Sequence, residues 1–286
     1  MYLHRDTRIL IVGLGLLGGS YAMALKKKGF RCIYGFARRQ ETVDYALEHG
    51  LIDEGSSEID GDLIARAELI VFALYPTVLL KWVEENGHRI RPGTVVTDVT
   101  GVKSCIIDPV VKALPEGAEF VSVHPMAGRE VGGIENADDT IFNGANYIVV
   151  PTEENTEEAI RLCEDLGREL GFARISRLSP AEHDDMIAFL SQLTHCVAVS
   201  LMCASDDDRL VEYTGDSFRD LTRIARINDE MWSELFLLNK DALLRQMDAF
   251  TEQIGKMREY LASDDREGLR EMMRTSTVRR AKFDKR

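Results

Sequence analysis

Apolar residues along this chain follow two different patterns. Through residue 150 they come as short runs without alternation, at 8–12, 32–36, 69–74, 94–97, 120–123 and 147–150. Amphipathic stretches such as 17–28 and 41–49 lie between them. Unalternating runs separated by helices predict strands buried on both faces of a parallel sheet, hence a doubly wound α/β domain of the Rossmann type. A helix over 153–170 and a short strand over 173–175 are expected to complete it. Then Ser179-Pro180-Ala181-Glu182 combines an N-cap serine, proline at the first helical position and a glutamate three residues after the cap. Beyond it there is no proline and little strand signal, and Leu235, Leu238, Leu243, Leu244, Met247, Phe250 and Ile254 recur at helical spacing. The expected division is a dinucleotide-binding domain over 1–177 and an all-helical domain over 178–286. The second is small for burying several long helices alone, so pairing with a second copy through this domain, as a homodimer, is expected.

Composition narrows the partners. The 286 residues carry 35 basic and 48 acidic side chains, a formal charge of −13, which argues against phosphate backbones and anionic membranes: neither nucleic acid nor membrane is expected as partner. The five cysteines, Cys32, Cys105, Cys163, Cys196 and Cys203, form no C-x-x-C pair, which fits reduced thiols better than a disulfide frame or a zinc site, and no metal is expected. The first residues lack the apolar core of a signal peptide, and a cytoplasmic protein is expected.

Gly13-Leu14-Gly15-Leu16-Leu17-Gly18 follows the first strand and opens the first helix. In that setting the first glycine permits the turn, the second admits a pyrophosphate to backbone N–H groups, and the third lets helix and strand pack closely. Leu74, Tyr75 and Pro76 at the end of the run 69–74, and Asp98 after the run 94–97, are assigned to the same crevice. An acidic residue about 20 positions on would bind the ribose 2′-hydroxyl. Here Ala37 stands at that place and Arg38 and Arg39 follow. Loss of the carboxylate and the paired guanidiniums favour NADP+ over NAD+. The alternative is that an arginine stacks on adenine or faces solvent and NAD+ binds.

His124-Pro125-Met126-Ala127-Gly128-Arg129-Glu130 follows the run 120–123, at a strand end that faces the ligand crevice in open α/β sheets. An imidazole there suits proton abstraction beside a nicotinamide. This H-P-M-A-G-x-E segment resembles the signature of prephenate and arogenate dehydrogenases. Ser191-Gln192-Leu193-Thr194-His195, Phe218-Arg219-Asp220-Leu221-Thr222-Arg223-Ile224-Ala225 and Met231-Trp232 follow in that family's order. The resemblance covers nearly the whole chain and implies oxidative decarboxylation of prephenate or arogenate on the way to tyrosine, by an enzyme without a fused mutase or regulatory domain. It further implies that His124 takes the proton of the ring hydroxyl, that Arg223 holds a substrate carboxylate and that His195 faces the substrate. Glu130, Ser191 and Asp220 orient these groups, with Asp220 one helical turn before Arg223. Arg219, Arg223 and Arg226 also read as a solvated stripe, His195 as a core histidine, and Met231-Trp232 as packing.

Departures stand beside the match. Gly101 occupies the place of a family serine near the catalytic histidine, so Thr100, Ser104 or water must substitute for it. Thr214-Gly215-Asp216-Ser217 replaces a glycine-rich lead-in, and Thr194 replaces a proline. Two rivals remain: another two-domain NAD(P)-dependent hydroxyacid dehydrogenase or imine reductase, and a non-catalytic NADP sensor, which would not need His124.

Overall fold

Uninterrupted apolar strands can be covered on both faces, and the first half of the chain uses them so. The structure, a computed structural model, describes residues 2–129 and 131–284. Its first sheet contains β1 (Ile9–Val12), β2 (Ile33–Phe36), β3 (Glu54–Ser56), β4 (Leu69–Phe72), β5 (Val95–Asp98) and β6 (Glu119–Phe120). All pairs are parallel, in the order β3-β2-β1-β4-β5-β6. Alternate side chains of β1 feed opposite faces: Ile9 and Ile11 join one core, Leu10 and Val12 the other. The first face is covered by α1 (Leu16–Lys27) and α2 (Gln40–Glu48), through Leu25 and Val43. The second is covered by α3 (Gly61–Arg66), α4 (Pro76–Asn86) and α5 (Ile107–Ala113), through Leu63, Leu79 and Val110. The strand β3 has no counterpart in the apolar pattern. Its Glu-Gly-Ser sequence tolerates the sheet edge, where it pairs only with β2.

The run 120–123, expected to be one strand of the parallel sheet, is divided instead. The chain leaves the first sheet after Phe120 and forms β7 (Ser122–Pro125) in a second sheet, antiparallel to β8 (Asn146–Val150). There β8 pairs in parallel with β9 (Arg174–Arg177). The cause is the side chain of Asp98, whose Oδ1 accepts from Ser122 Oγ at 2.6 Å and Val123 N at 3.1 Å. A carboxylate thus takes the place of the ladder that would have continued β6. Helix α6 (Glu157–Leu170) starts four residues later than expected, because Thr156 is its cap and accepts from Ala159 N. Gly171, at φ +93°, ends it.

From Ser179 onward the described residues contain helices and no strand. Helix α7 (Pro180–Ile187) opens with the reciprocal Ser179–Glu182 capping box read from the sequence. It continues through a π-helical segment, Ala188–Leu193, into α8 (Thr194–Cys203). By length and hydropathy this helical run is apolar enough to cross a membrane, yet it carries buried His183, Asp184 and Gln192. Then follow α9 (Asp216–Thr222), α10 (Asp229–Leu238), α11 (Lys240–Ala262) and α12 (Arg266–Arg280). Among the described residues after Thr194, only Ala198, Asn239, Ala242 and Leu243 are buried. The expected apolar stripe exists but faces outward: Leu244, Met247, Phe250 and Ile254 on α11 are all exposed.

Lys103, in the loop between β5 and α5, is fully buried with Asp98. Its ammonium donates to Asp98 Oδ2 at 2.8 Å, Thr100 Oγ1 at 3.3 Å and Val123 O at 2.6 Å, so its three protons have three acceptors. Burial pushes the Lys103 ammonium below its usual pKa, against the pull of Asp98. Removing one member of such a pair strands the other charge, at a cost of about 3–5 kcal/mol. Lys103→Met is expected to lower stability by that amount, and Asp98→Asn/Lys103→Met by less than Lys103→Met alone. The check is the urea midpoint of the three proteins.

Candidate active site

Beyond β1, backbone geometry explains two of the three glycines. Gly13 has φ +104°, and a Cβ on it would lie 2.4 Å from Ala73 O; one on Gly18 would lie 1.9 Å from Gly13 O. The turn itself therefore requires both. A Cβ on Gly15 would meet nothing within 4 Å, so there the open space belongs to whatever approaches the N-terminus of α1. That N-terminus has no side-chain cap and no acid in its first turn, which leaves its amides and positive dipole end suited to a pyrophosphate. The side chains of Leu14 and Leu16 are buried in the core and Leu17 packs against it, so these three offer a ligand backbone N–H groups only. Leu74, Tyr75 and Pro76 form the adjoining wall: the Leu74 side chain lies against Gly13, Tyr75 is exposed, and Pro76 is the first residue of α4. Ala37 follows β2 half-buried, with Arg38 and Arg39 exposed beside it. These residues fit a dinucleotide.

Asp98 does not belong to that wall, contrary to the sequence expectation. It is fully buried, and its oxygens accept from Ser122, Val123, Thr100 and Lys103. It shapes the site from below. Lys103, its partner, escaped the sequence reading because a lysine just past a strand ordinarily points to water.

His124 is the third residue of β7, half-buried, with Ile148 opposite it in the ladder. Its Nδ1 lies 2.9 Å from Nε2 of His183, a fully buried residue of α7. The other nitrogen of His183, Nδ1, lies 2.8 Å from Asp184 Oδ1. Asp184 in turn accepts from Lys103 N at 2.9 Å and Ser104 N at 2.8 Å. Thr100 and Ser104, expected as stand-ins for the missing serine, are therefore engaged elsewhere. The Thr100 hydroxyl bonds Asp98 and Val102 O, and Ser104 bonds Asp184. The side chain that reaches His124 is His183, which sequence reasoning missed: it sits three residues past a helix proline and reads as ordinary helix. A Cβ on Gly101 would lie 3.8 Å from His124 Cε1, which puts Gly101 beside the imidazole with room for a small side chain.

Burial, then the neighbouring His183 and Lys103, hold the His124 pKa well below the usual imidazole value, so the ring is neutral and able to accept a proton at pH 7. Burial likewise lowers His183, against the pull of Asp184. For Asp184, burial would raise the carboxyl, but bonds from His183 and Ser104 outweigh it and keep the group below its usual range.

The helical half carries the remaining candidates. His195 Nδ1 lies 2.9 Å from the carbonyl of Ser191, which also accepts from Thr194 Oγ1 at 2.6 Å. The His195 ring stacks on Trp232, with centroids 3.7 Å apart. One turn along α10, Leu235 approaches the Gly101 position to 3.7 Å, which links the His195–Trp232 stack to the surroundings of His124. Arg223 opens a 3-10 turn, Arg223–Ala225, that packs on α8. Arg223 and Asp220 are both exposed, and Arg219 is tied to Thr214 O and Asp216 of its own segment. Glu130 lies outside the described residues. A neutral imidazole on a strand, in a chain whose glycine turn fits a dinucleotide and whose helical half carries a second histidine and an exposed arginine, has the parts needed to take a proton from an anionic alcohol.

Two family models cover most of the chain: "Prephenate dehydrogenase, nucleotide-binding domain" matches residues 21–176, and "Prephenate dehydrogenase, dimerization domain" matches residues 179–275. The prephenate dehydrogenase of Bacillus subtilis is 33% identical over 281 residues, which span 95% of this chain and 74% of that protein. The structure of prephenate dehydrogenase from Aquifex aeolicus in complex with hydroxyphenyl propionate and NAD+ superposes with a TM-score of 0.90 at 27% identity, covering 99% of this chain and 100% of that one. Synechocystis arogenate dehydrogenase superposes with a TM-score of 0.84 at 27% identity, over 97% and 100% of the two chains. This chain belongs to the prephenate dehydrogenase family and is an NAD(P)-dependent oxidoreductase.

Proposed function

We propose that this enzyme oxidises and decarboxylates prephenate or arogenate in tyrosine biosynthesis, with NADP+ preferred to NAD+. Residues 1–177 hold the dinucleotide, and residues 178–286 hold the substrate and pair with a second copy in a cytoplasmic homodimer. The observation that carries the reading is the neutral, half-buried His124 on β7, held in place through Val123 by Asp98 and Lys103 and bonded to His183. A bound nicotinamide supplies the hydride acceptor. His124 takes the proton of the ring hydroxyl as hydride leaves the same carbon. The bond to the ring carboxylate then breaks, its electron pair enters the ring, and the proton returns from His124 to the phenol oxygen as CO2 departs. Arg223 pairs with a substrate carboxylate in bidentate fashion, and His195, braced by Ser191 and Trp232, holds the substrate from the helical side.

Absorbance of reduced nicotinamide, measured with both substrates against both cofactors, tests this directly; silence in all four combinations overturns it. His124→Asn is expected to lower kcat by at least ~100-fold while dinucleotide affinity stays unchanged, which also separates an enzyme from a cofactor sensor. Because the pKa of His124 is depressed, the active neutral form persists at ordinary pH and is lost only on acidification. The acid limb of kcat/KM should therefore fall below the usual imidazole value of about 6.5.

Support for NADP+ comes from Arg38 and Arg39, exposed beside Ala37 with no carboxylate at that strand end. Arg38→Ala/Arg39→Ala is expected to raise KM for NADP+ at least ~10-fold and leave KM for NAD+ within ~2-fold, one guanidinium–phosphate contact being worth about 1.5–3 kcal/mol. Equal effects on both cofactors would remove the preference from the proposal.

The dimer is supported by the outward stripe of α11 and by the thin interior of the helical half. Each stripe residue buried in a twofold interface counts twice, at about 1.5–3 kcal/mol per side chain. Phe250→Asp/Ile254→Asp should weaken association by ~100-fold or more, read by sedimentation across a concentration series.

A further inference from the structure

We propose that His183 is a positioning residue that fixes the tautomer of His124, leaving the His124 Nε2 lone pair for the substrate. The inference rests on the reading of His124 as the base, and it follows from counting protons along one chain of contacts. A carboxylate offers acceptors only, so the 2.8 Å contact from Asp184 Oδ1 puts a proton on His183 Nδ1. Burial keeps His183 neutral, which leaves its Nε2 as a lone pair. That lone pair lies 2.9 Å from His124 Nδ1, and two lone pairs cannot face each other at that distance. His124 Nδ1 must therefore donate. In the neutral ring the other nitrogen is then an acceptor, as a general base requires.

The chain is anchored beyond the imidazoles. Both oxygens of Asp184 are held by backbone amides of the loop after β5, from Lys103 and Ser104. The carbonyl of Asp184 accepts from Asn239 Nδ2 at 2.9 Å, and the same amide group reaches Gln192 Oε1 at 2.9 Å. His183 and Asp184 belong to the helical half, whereas His124, Lys103 and Ser104 belong to the nucleotide half. The base thus acquires its reactive tautomer only where the two halves are docked. The ionisable groups facing the imidazole pair are Lys103 and Asp98 from the β5 side and Asp184 from α7.

Nitrogen-15 NMR of histidine-labelled enzyme reads the tautomers without turnover. Both rings are expected as the Nδ1–H form in the wild type, and His183→Asn, which removes the acceptor at the Nε2 position, is expected to shift His124 towards Nε2–H. In kinetics, His183→Asn should lower kcat at least ~10-fold with dinucleotide KM within ~2-fold. His183→Gln, whose amide oxygen supplies an acceptor at about the same reach, should recover most of the loss. An Nε2–H form of His124 in the wild type overturns the proposal, as does a folded His183→Asn protein with unchanged kcat. If His183→Asn does not fold, the wild-type tautomer decides alone. If neither substrate turns over, the reading of the enzyme fails while the spectrum still settles the tautomer.

Discussion

A carboxylate with no water around it needs a donor for each exposed lone pair, and the end of β5 is built to meet that need. Asp98 draws Ser122 and Val123 N towards one oxygen and Lys103 and Thr100 towards the other. Lys103 returns to the same strand by donating to Val123 O. The residue before His124 is thus held at its N–H by the acid and at its carbonyl by the base. This is why β7 departs from the parallel sheet and why the imidazole projects where it does. Replacing such a pair with apolar groups can be neutral for stability, so its value here lies in geometry. An apolar contact would leave the strand free to slide, whereas these hydrogen bonds admit one register.

The same logic sets the protonation of the site. Lys103 anchors Val123 and, by its charge, disfavours a second positive charge on His124, while burial works in the same direction. The cation that secures the backbone also disfavours protonation of His124. Asp184 acts in the other sense on His183, yet burial dominates and both rings stay neutral. At −13 overall the chain repels anions at long range, and an anionic substrate must be met by local cations. Arg223, exposed on the turn against α8, is suited to that, being free of the desolvation that Lys103 has undergone.

Much of the fold was legible because its signals are local. The apolar runs located β1, β2, β4, β5 and β8, the glycine loop marked the start of α1, and Ser179 to Glu182 marked the start of α7 within a residue. What escaped depends on partners far apart in sequence. The division of 120–123 follows from a side chain 24 residues earlier, bonded to Ser122. The roles of Lys103 and Ser104 follow from Asp184, about 80 residues later. His183 lies 59 residues from His124, and no periodicity relates them. The motif around His124 pointed to a candidate reacting group by its local sequence, whereas Asp98, read as a cofactor contact, turns into the interior, because a strand-end acid looks alike whether it faces a ligand or the core.

The helical half presents the remaining constraint. Its small interior carries a polar network: Asn239 bonds Asp184 O and Gln192, and Gln192 bonds Leu235 O. Such bonds fix direction well but contribute modestly to net stability, about 0.5–1.5 kcal/mol each. The apolar area that would ordinarily stabilise these helices lies instead on their outer faces, at Leu237, Leu244, Phe250 and Ile254. The polar contacts that orient His183, and with it His124, can be no firmer than the helices that carry them. In the proposed homodimer, covering the outer faces would therefore do more than join two chains. It would supply the hydrophobic stabilisation that lets a thin, hydrogen-bonded interior hold the His183–His124 pair in one orientation.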